Sequence, residues 1–473
     1  MRKAAFHNLG CKVNSYETEA MQELLEEAGY EIVPFGEGAD VYVVNTCSVT
    51  NVADKKSRQM LHRARKLNPG AVVAAVGCYA QAAGEELKRD GAVDLVIGNN
   101  RKKDLPAILE RYFADHRQNR EIVDIGREQE YERLRISRVS DHTRAFMKVQ
   151  DGCNQFCSYC IIPYTRGRVR SRSPLEVIRE AEELAAAGYK EIVLTGIHLS
   201  SYGADFAKAG ECPQDGSPRC RSREIRPDEI RGLLALIVRL DQIRGLERIR
   251  LGSLEPRIVT EDFAQTLASL RTICPHFHLS LQSGCEATLK RMNRKYTPEE
   301  YFEKCTLLRS VFDNPAITTD VIVGFPGETE EEFQETRAFL EKTGFYEMHI
   351  FKYSKRAGTR AAAMPDQIPE AVKAARSDVL LSLNETLSEA YRKRFSGRET
   401  DLLLEEPVII NGVRYMMGHT RQYVKGILPY EEGMKNRIIR VRLEELINGE
   451  FYLANPCKSP QLQNLLAECH ILE

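Results

Sequence analysis

The sequence lacks a membrane-spanning apolar run, a secretory signal and an excess of one charge, and each absence argues against one class of protein. It has no apolar run of membrane-spanning length, so we expect no transmembrane segment. The N-terminal stretch MRKAAFHNLGCKVN has no long apolar core, so we expect no secretory signal. It also lacks an excess of one charge, since 67 Lys and Arg against 68 Asp and Glu leave a formal net charge of −1. A bulk polyanion binder is therefore not indicated, and any nucleic-acid contact must use local basic patches.

With 473 residues, the chain is too long for one ordinary core, and its hydrophobic pattern divides it into three parts. Residues 1–130 alternate short apolar runs with helical patterns, which predicts an open parallel α/β sheet. Residues 140–365 hold six β/α units, which predict a partial (β/α)6 barrel. Residues 397–457 are rich in strands and turns and predict a small all-β domain. The predicted fold class is α/β. Within the first helix of residues 1–130, Asn14 followed by Glu17 resembles a capping box.

The 13 cysteines include one closely spaced set, Cys153, Cys157 and Cys160, in the run DGCNQFCSYCIIP. Without an export signal, metal or catalytic roles are favoured over disulfides. Three thiolates with the spacing C-x3-C-x2-C can hold three irons of a [4Fe–4S] cube and leave the fourth iron open. A closed zinc site needs four ligands and no fourth Cys or His lies nearby, so zinc is the less favoured alternative. The set directly follows the predicted strand AFMKVQ, and barrel sites lie at the carboxyl ends of strands.

A second set of cysteines is far apart in sequence but similar in position. Cys11, Cys47 and Cys78 each follow a predicted strand of the N-terminal sheet. In an open parallel sheet those loops share one edge, and neighbouring strands lie about 4.8 Å apart. The alternative is that each is an ordinary buried cysteine. Because the same position recurs in successive units, we predict a second cluster held by three cysteines.

These two cysteine sets, followed by a small β domain, resemble the radical S-adenosylmethionine methylthiotransferase family over nearly the whole chain. The motifs that carry the resemblance include LGCKVNSYE, VVNTCSVT, AVGCYAQ, KVQDGCNQFCSYCIIPYTRGRVRSRS, LTGIHLSSYG, RLGSLEP, LSLQSGC, RMNRKYT and VIVGFPGET. GCKVN and TGIHLSSYG are most like the branch that acts on N6-threonylcarbamoyladenosine. The resemblance implies transfer of a methylthio group to C2 of that base, at position 37 of tRNA, 3′ of the anticodon.

The resemblance also implies cofactors and a mechanism. Two [4Fe–4S] clusters and S-adenosylmethionine are expected, the cluster on Cys153, Cys157 and Cys160 cleaving the cofactor and the other supplying sulfur. Contacts to S-adenosylmethionine are expected at the ends of successive barrel strands, where some of these residues are alternatively plain turn residues. The six candidates are Thr195, Gly196, Ser253, Glu255, Gln282 and Gly324.

Two basic segments are candidates for RNA binding. One is YTRGRVRSRS, beside the predicted cluster loop, and the other lies in the C-terminal segment RYMMGHTRQYVKG, which resembles a TRAM domain. Guanidiniums suit phosphate, and basic residues among aromatics suit loop RNA. A solvated strand edge is the alternative for the first segment. The candidates are Arg166, Arg168, Arg170, Arg172, Arg414, Tyr415, Arg421, Tyr423 and Lys425.

Several alternatives remain open from sequence. The same chemistry could act on N6-isopentenyladenosine in tRNA or on an aspartate of a ribosomal protein, and a non-catalytic Fe–S RNA-binding protein is a rival of another class. We expect a cytoplasmic monomer that binds a tRNA anticodon loop, associates with no membrane, and receives electrons from a donor such as a flavodoxin or ferredoxin. The segment 204–224, with Cys212 and Cys220, departs from the family pattern and is interpreted as a surface insertion.

Overall fold

A computed structural model of the chain describes residues 1–116, 119–137, 143–206 and 230–457. The predicted insertion, with Cys212 and Cys220, lies outside the described residues from position 207 onward. In the described parts, no helix combines the length and apolar character needed to cross a membrane.

The N-terminal part of the chain forms a parallel sheet covered by helices on both faces. Its strands are β1 (Lys3–Asn8), β2 (Glu31–Val33), β3 (Val41–Thr46), β4 (Val72–Gly77), β5 (Leu95–Ile97) and β6 (Asn119–Glu121). Its helices are α1 (Lys12–Glu27), α2 (Asn51–Leu67), α3 (Cys78–Ala82), α4 (Gly84–Lys88) and α5 (Leu105–Asp115). The strand order is β2-β1-β3-β4-β5-β6. Val41 and Val43 face one apolar cluster while Tyr42 and Val44 face the other, as expected for a sheet buried on both sides.

The middle of the chain forms the predicted partial barrel. Its strands are β7 (Arg144–Asp151), β8 (Arg170–Ser171), β9 (Glu191–Gly196), β10 (Arg248–Leu251), β11 (His276–His278), β12 (Ala316–Val323) and β13 (Glu347–Lys352). The sheets β10-β9-β7-β8 and β11-β12-β13 are linked by parallel bridges such as Ile249 to Ile273. Six parallel strands thus curve around one interior, and β8 adds a short antiparallel edge.

Helices cover the outside of this partial barrel, as the alternating pattern predicts. The short helix α6 (Ile162–Thr165) is separate from them and packs against α3 of the N-terminal sheet. The covering helices are α7 (Pro174–Ala186), α8 (Leu233–Leu240), α9 (Glu261–Ser269), α10 (Glu286–Arg291), α11 (Pro298–Val311), α12 (Glu330–Thr343) and α13 (Glu370–Lys393). Helices α11 and α12 begin with capping boxes at Thr297 and Thr329, which bond the free N–H groups of the first turn. The local sequence alone explains where these two helices start.

The C-terminal part closes into a small barrel, in agreement with the predicted all-β character. Its strands are β14 (Glu399–Ile410), β15 (Val413–His419), β16 (Lys425–Pro429), β17 (Ile438–Ile447) and β18 (Phe451–Pro456). They follow the order β14-β15-β16-β18-β17, in which only the β16–β18 pair is parallel. Strand β15 passes so close to β14 that a Cβ on Gly418 would lie 2.2 Å from the Leu403 carbonyl oxygen.

The start of α1 differs from the sequence prediction. The helix begins at Lys12 with Cys11 as its N-cap, so Asn14 and Glu17 lie inside it and the predicted capping box is wrong. The Asn14 amide donates instead to the carbonyl oxygens of Leu9 and Thr46, at 2.7 and 3.2 Å. Both side chains are buried, because tertiary partners, and not the helix end, bind them.

The C-terminal barrel docks on strand β10 through a buried arginine. The Arg248 guanidinium donates to the carbonyl oxygens of His419 and Asp401, each at 2.8 Å. Arg144, at the amino end of β7, adds an ion pair with Glu405 at 2.8 Å. The small barrel is thus held at the amino ends of the central strands, opposite their carboxyl ends.

We expect Arg248→Met to weaken this docking, because two carbonyl groups lose a charged donor. A loss of about 2 kcal/mol, or roughly thirtyfold faster amide hydrogen exchange, is expected within residues 399–456 and not in the N-terminal sheet. Arg440→Met is the matched control, since that exposed arginine forms only surface ion pairs. Equal exchange in the two variants would contradict the docking role.

Candidate metal and cofactor site

Cys11, Cys47 and Cys78 lie at one edge of the N-terminal sheet. They follow β1, β3 and β4, which are parallel neighbours in the sheet. Burial, together with the neighbouring Cys78 and Cys11 thiols, raises the pKa of Cys47 to about 12. The three sulfurs are therefore close enough to affect one another's ionisation. We refer to Cys11, Cys47 and Cys78 as the N-terminal thiol triad.

Two glycines allow the loops of this triad to approach. Gly10 has a φ of +113°, and a Cβ there would lie 3.0 Å from the Cys47 sulfur. Gly77 has a φ of +92°, and a Cβ there would lie 2.5 Å from the Asn45 side-chain oxygen. Any larger residue at these positions would fill the space between the loops, so the backbone itself is adapted to bring the thiols together.

Cys153, Cys157 and Cys160 lie directly after β7, at the carboxyl end of the partial barrel. Burial and the neighbouring Cys157 and Cys153 thiols raise the pKa of Cys160 to about 12, and burial with Cys157 raises that of Cys153 to about 11. Thiols in such surroundings stay protonated at neutral pH unless a metal stabilises the thiolate. This donor set, defined here as the central thiol triad, therefore suits a metal cluster.

Residues after α10 hold the central loop and were not identified from sequence. The Arg294 guanidinium donates to the Cys157 sulfur at 3.4 Å and to the Ser280 carbonyl oxygen at 3.0 Å. The Asn293 amide donates to the Phe156 carbonyl oxygen at 3.0 Å. Both residues belong to the motif RMNRKYT, which was noted in the sequence without an assigned role.

A buried ion network connects the two triads. The Arg166 guanidinium donates to the Cys78 sulfur at 3.2 Å, to Glu17 at 2.8 Å and to Asp151 at 3.2 Å. The Lys148 ammonium donates to the same two carboxylates, at 2.7 and 2.6 Å. Asp151 precedes the first cysteine of the central triad by two residues, so this network fixes the triads relative to each other.

Arg166 and the lysines keep the buried carboxylates of this network ionised. Burial by itself would raise the pKa of Glu17, but Arg166, Lys102 and Lys148 hold it well below its usual range. Lys102 lies 3.3 Å from Glu17 and 3.4 Å from Glu132. Four cations (Arg166, Lys102, Lys148 and Arg170) thus surround three carboxylates (Glu17, Asp151 and Glu132) in a region that excludes water.

The structure corrects the RNA prediction for three of the four arginines that follow the central triad. Arg166, Arg170 and Arg172 are buried, with exposed fractions of 0%, 1% and 4%. Arg172 pairs with Glu180 at 2.6 Å, and Arg170 lies 3.8 Å from Asp151. Buried and paired guanidiniums cannot reach phosphate, so these three stabilise the interior. Arg168 is exposed, and its contact with RNA remains a prediction.

The six residues predicted to contact a cofactor all lie at or just beyond the carboxyl ends of barrel strands, the end that carries the central triad. Thr195 and Gly196 end β9, and Ser253 and Glu255 follow β10. Gln282 lies beyond β11 with a φ of +77°, and its N–H donates to the Asp320 carbonyl oxygen at 2.8 Å. Gly324 follows β12 with a φ of +70°. A positive φ is unstrained for glycine but strained for Gln282, and such strained positions cluster at binding sites, which fits the predicted role without testing it.

His198, in the motif TGIHLSSYG, was not singled out from sequence. Its Nδ1 lies 2.6 Å from the Ser201 hydroxyl, while its buried Nε2 has no hydrogen-bond partner within the described ranges. Burial, with Arg294 and Arg257 nearby, lowers its pKa to about 4, so the ring is neutral at physiological pH. A free ring nitrogen beside Arg294 lies at the same strand ends as the central triad.

The second group of predicted RNA contacts divides in two. Arg421 donates to the carbonyl oxygens of Arg271 and Ile273, and the Tyr423 ring lies under the Arg250 guanidinium, 4.7 Å from its centroid. These contacts join the C-terminal barrel to the central one, so they correct the prediction for Arg421 and Tyr423. Three predicted contacts remain: Arg414, Tyr415 and Lys425. Arg414 stacks on the Tyr430 ring, and Lys425 pairs with Glu450.

Comparisons with known proteins agree with this arrangement. A family model described as the radical SAM superfamily matches residues 147–340, and one described as Uncharacterized protein family UPF0004 matches residues 3–98. The chain is 41% identical to the threonylcarbamoyladenosine tRNA methylthiotransferase MtaB of Bacillus subtilis, over 94% of each protein. It is 36% identical to the tRNA-2-methylthio-N(6)-dimethylallyladenosine synthase of Moorella thermoacetica, over 93% of this chain and 96% of that protein.

Among solved structures, the chain resembles the radical S-adenosylmethionine methyltransferase TsrM of Kitasatospora setae. The TM-score is 0.50 at 16% sequence identity, over 74% of this chain and 73% of that one. At this identity the likeness shows a shared fold and nothing about the substrate.

We expect Glu17→Gln to destabilise the protein by about 3–5 kcal/mol at pH 7, because Arg166, Lys102 and Lys148 would lose a buried counter-charge. The folded-state pKa of Glu17 lies far below 4.5, so its contribution is complete above that pH and is lost as the pH falls. The difference between variant and wild type should therefore shrink in acid. Urea unfolding at several pH values measures it.

Glu27→Gln, on the exposed end of the same helix, is the control and should change stability by less than about 0.5 kcal/mol. A Glu17→Gln protein as stable as this control at pH 7 would contradict the role of the network.

Proposed function

This chain belongs to the radical SAM tRNA methylthiotransferases, and we propose that its substrate is N6-threonylcarbamoyladenosine at position 37 of tRNA, on which it places a methylthio group at C2. The support is the 41% identity to the Bacillus subtilis enzyme whose name states that substrate, together with the motifs GCKVN and TGIHLSSYG. The pair of thiol triads connected through Arg166 is the observation that supports the methylthiotransferase chemistry, and the identity to the Bacillus subtilis enzyme carries the choice of substrate.

We assign a [4Fe–4S] cluster to each triad. The superfamily implies one such cluster with S-adenosylmethionine, and the central triad has the donor set for it. The N-terminal triad offers the same number of thiols at the carboxyl ends of parallel strands, where open α/β sheets bind ligands. When bound, these groups would supply the electron transfer, hydrogen abstraction and sulfur that the reaction at C2 requires.

Arg166 and Arg294 have matching roles in this proposal. Each donates an N–H to a triad sulfur, Arg166 to Cys78 at 3.2 Å and Arg294 to Cys157 at 3.4 Å. Hydrogen bonds to cluster sulfurs stabilise negative charge there and shift the reduction potential upward. The protein therefore supplies one cationic donor for each cluster. The buried network fixes Arg166, whereas the Ser280 carbonyl oxygen and the Tyr296 hydroxyl hold Arg294.

S-adenosylmethionine would bind across the strand ends beside the central triad. The proposed contacts are Thr195, Gly196, Ser253, Glu255, Gln282 and Gly324, with His198 as an addition. Glu255 is oriented by Arg257 at 2.7 Å, and Ser253 by the Ser280 hydroxyl at 2.6 Å. His198 offers its unpaired Nε2 in the same region.

RNA would reach the site past an exposed aromatic group on the central loop. The Arg168 guanidinium lies 4.5 Å from the Phe156 ring centroid, and the Tyr164 ring, 51% exposed, meets Phe156 edge-on. Aromatic faces with a cation suit unstacked bases of an RNA loop. The C-terminal barrel, which we assign to the TRAM type, would add Arg414, Tyr415 and Lys425.

Further properties follow from the same assignment. We propose a three-domain division at residues 1–130, 140–365 and 397–457, a cytoplasmic monomer, and a flavodoxin or ferredoxin as electron donor. A reducing compartment protects oxygen-sensitive clusters, which supports the cytoplasmic location.

N6-dimethylallyladenosine in tRNA is the second candidate substrate. It is supported by the 36% identity to the Moorella thermoacetica synthase, whose name states that product. The two candidates share the clusters and differ only in the group on N6 of the adenine. The choice between them therefore depends on how the protein binds that group.

We expect Cys157→Ala to abolish formation of 5′-deoxyadenosine, because the central triad loses a cluster ligand. Cys47→Ala should preserve S-adenosylmethionine cleavage but stop sulfur insertion into RNA. Iron should fall from about eight to about four per chain in either variant. A Cys47→Ala protein that still methylthiolates RNA would disprove the second cluster.

Nucleoside mass spectrometry of tRNA, from cells with and without the gene, tests the substrate. We expect 2-methylthio-N6-threonylcarbamoyladenosine to disappear in the deletion strain and its unthiolated precursor to accumulate. Persistence of that nucleoside, with loss of the methylthio-dimethylallyl form, would favour the second candidate.

A further inference from the structure

The interior of the partial barrel is lined by charged side chains from successive strands. Arg250 of β10 bonds Glu191 of β9 at 2.9 Å, and His278 of β11 lies 3.2 Å from Asp320 of β12. The ring of His278 stacks on that of His349 of β13, with centroids 5.7 Å apart. Apolar residues that alternate with them along the strands, such as Ile249 and Phe277, pack with the covering helices, so these charged side chains face the shared interior.

Lys12 reaches this interior from the N-terminal sheet. It follows Cys11 and is the first residue of α1. Burial, with Arg250 and Arg144, lowers its pKa, while Glu191 and Asp320 oppose that shift. Its ammonium therefore lies within electrostatic range of side chains on four barrel strands, β7, β9, β10 and β12.

The carboxylates around Lys12 are already paired with other side chains. Glu191 is bonded to Arg250, Asp320 to His278, and Glu405 to Arg144. Within residues 1–116, 119–137, 143–206 and 230–457, no carboxylate forms an ion pair with Lys12. The Lys12 side chain is accessible to solvent, so its unpaired ammonium is available to an anionic ligand that enters from solvent.

A second, independent observation points to the same place. His276, at the start of β11, is only 7% exposed, and its Nδ1 has no hydrogen-bond partner in the described parts of the chain. Burial, with Arg250, Lys12, His278 and Arg144 as neighbours, lowers its pKa well below 6.5, so the ring is neutral. A buried nitrogen without a partner is costly unless a ligand bonds it, and a neutral imidazole can present an N–H there.

The threonylcarbamoyl and dimethylallyl groups differ in charge, to which this cationic region responds. The first ends in a carboxylate, whereas the second is apolar and uncharged. We propose that Lys12 and His276 form an anion subsite that binds the carboxylate of the N6 substituent and so selects threonylcarbamoyladenosine. This inference rests on the proposed function and identifies Lys12 and His276 as the residues that recognise the N6 substituent. An apolar substituent would leave both polar groups unpaired, which is how such sites reject uncharged analogues.

A divalent cation is the competing ligand for this interior. Ligand atoms of His278, Asp320 and His349 lie within 4.8 Å of one another, a set that can hold such an ion. Asp320 already bonds His278, and the charges of Lys12 and Arg250 oppose another cation. The balance of charge therefore favours an anion.

The test measures binding of anticodon stem–loop RNA to the reconstituted full-length enzyme by fluorescence anisotropy. Three RNAs are compared: one with threonylcarbamoyladenosine, one with its neutral carboxamide, and one with dimethylallyladenosine. Wild type should bind the acid roughly 10- to 100-fold more tightly than the amide. Lys12→Met should bind acid and amide equally, and Lys12→Arg should restore the preference.

Two further variants keep the test decisive. Lys88→Met removes the same charge from an exposed position and should leave the acid-to-amide ratio unchanged. His276→Phe keeps an aromatic ring but removes its nitrogen, and should lower the ratio several-fold. Iron content and S-adenosylmethionine cleavage verify that each variant retains its clusters. If Lys12→Met loses iron, the test depends on the acid-to-amide affinity ratio of His276→Phe. A ratio equal to that of wild type would then overturn the subsite.

The failures are distinguishable. A wild-type enzyme that modifies threonylcarbamoyladenosine but binds acid and amide alike overturns the subsite and leaves the proposed function intact. The subsite is also overturned if Lys12→Met keeps the wild-type acid-to-amide affinity ratio. It is overturned likewise if that ratio depends on added Mg²⁺ or Zn²⁺ and not on Lys12. A wild-type enzyme that modifies only dimethylallyladenosine overturns both.

Discussion

The structure depends on one buried interaction, the bonding of Arg166 to Glu17 and Asp151. These groups have exposed fractions of 0%, 0% and 2%, so each charge would be severely destabilising without its partners. Glu17 lies on α1 of the N-terminal sheet, whereas Asp151 and Arg166 flank the central triad. Satisfying all three charges requires the two domains to meet in one orientation. Because Arg166 also contacts the Cys78 sulfur, that orientation positions the N-terminal triad as well.

The partial barrel is organised from its two ends. Its carboxyl ends carry the central triad, the predicted cofactor contacts and Arg294. Its amino ends bear the C-terminal barrel, held by Arg248 and by the Arg250 guanidinium stacked over the Tyr423 ring. Between the two ends lies the charged interior into which Lys12 extends. A base that enters this space meets reactive groups at one end and a charged recognition surface toward the other, which joins chemistry and selection in one cavity.

Local sequence predicted much of this arrangement. The alternation of apolar runs and helical patterns identified the six parallel strands of the barrel, and loop position after β1, β3 and β4 identified the N-terminal triad. Prediction was wrong where a side chain's partner lies far along the chain. Asn14 and Glu17 resemble a capping box, yet they bind Arg166, which is 149 residues away from Glu17. Arg170 and Arg172 resemble an exposed basic strand, yet they are buried.

The sequence by itself determined the element order, the parallel sheets and the positions of both cysteine sets at strand ends. These properties follow from hydrophobic period and from the geometry of parallel strands, which are local or nearly so. Only the tertiary structure decided which charges are buried, which arginines contact sulfur, and that Lys12 and His276 share an interior. Those outcomes depend on long-range pairing of charges, because a buried ion takes whichever partner the fold brings near, and sequence spacing does not encode that distance.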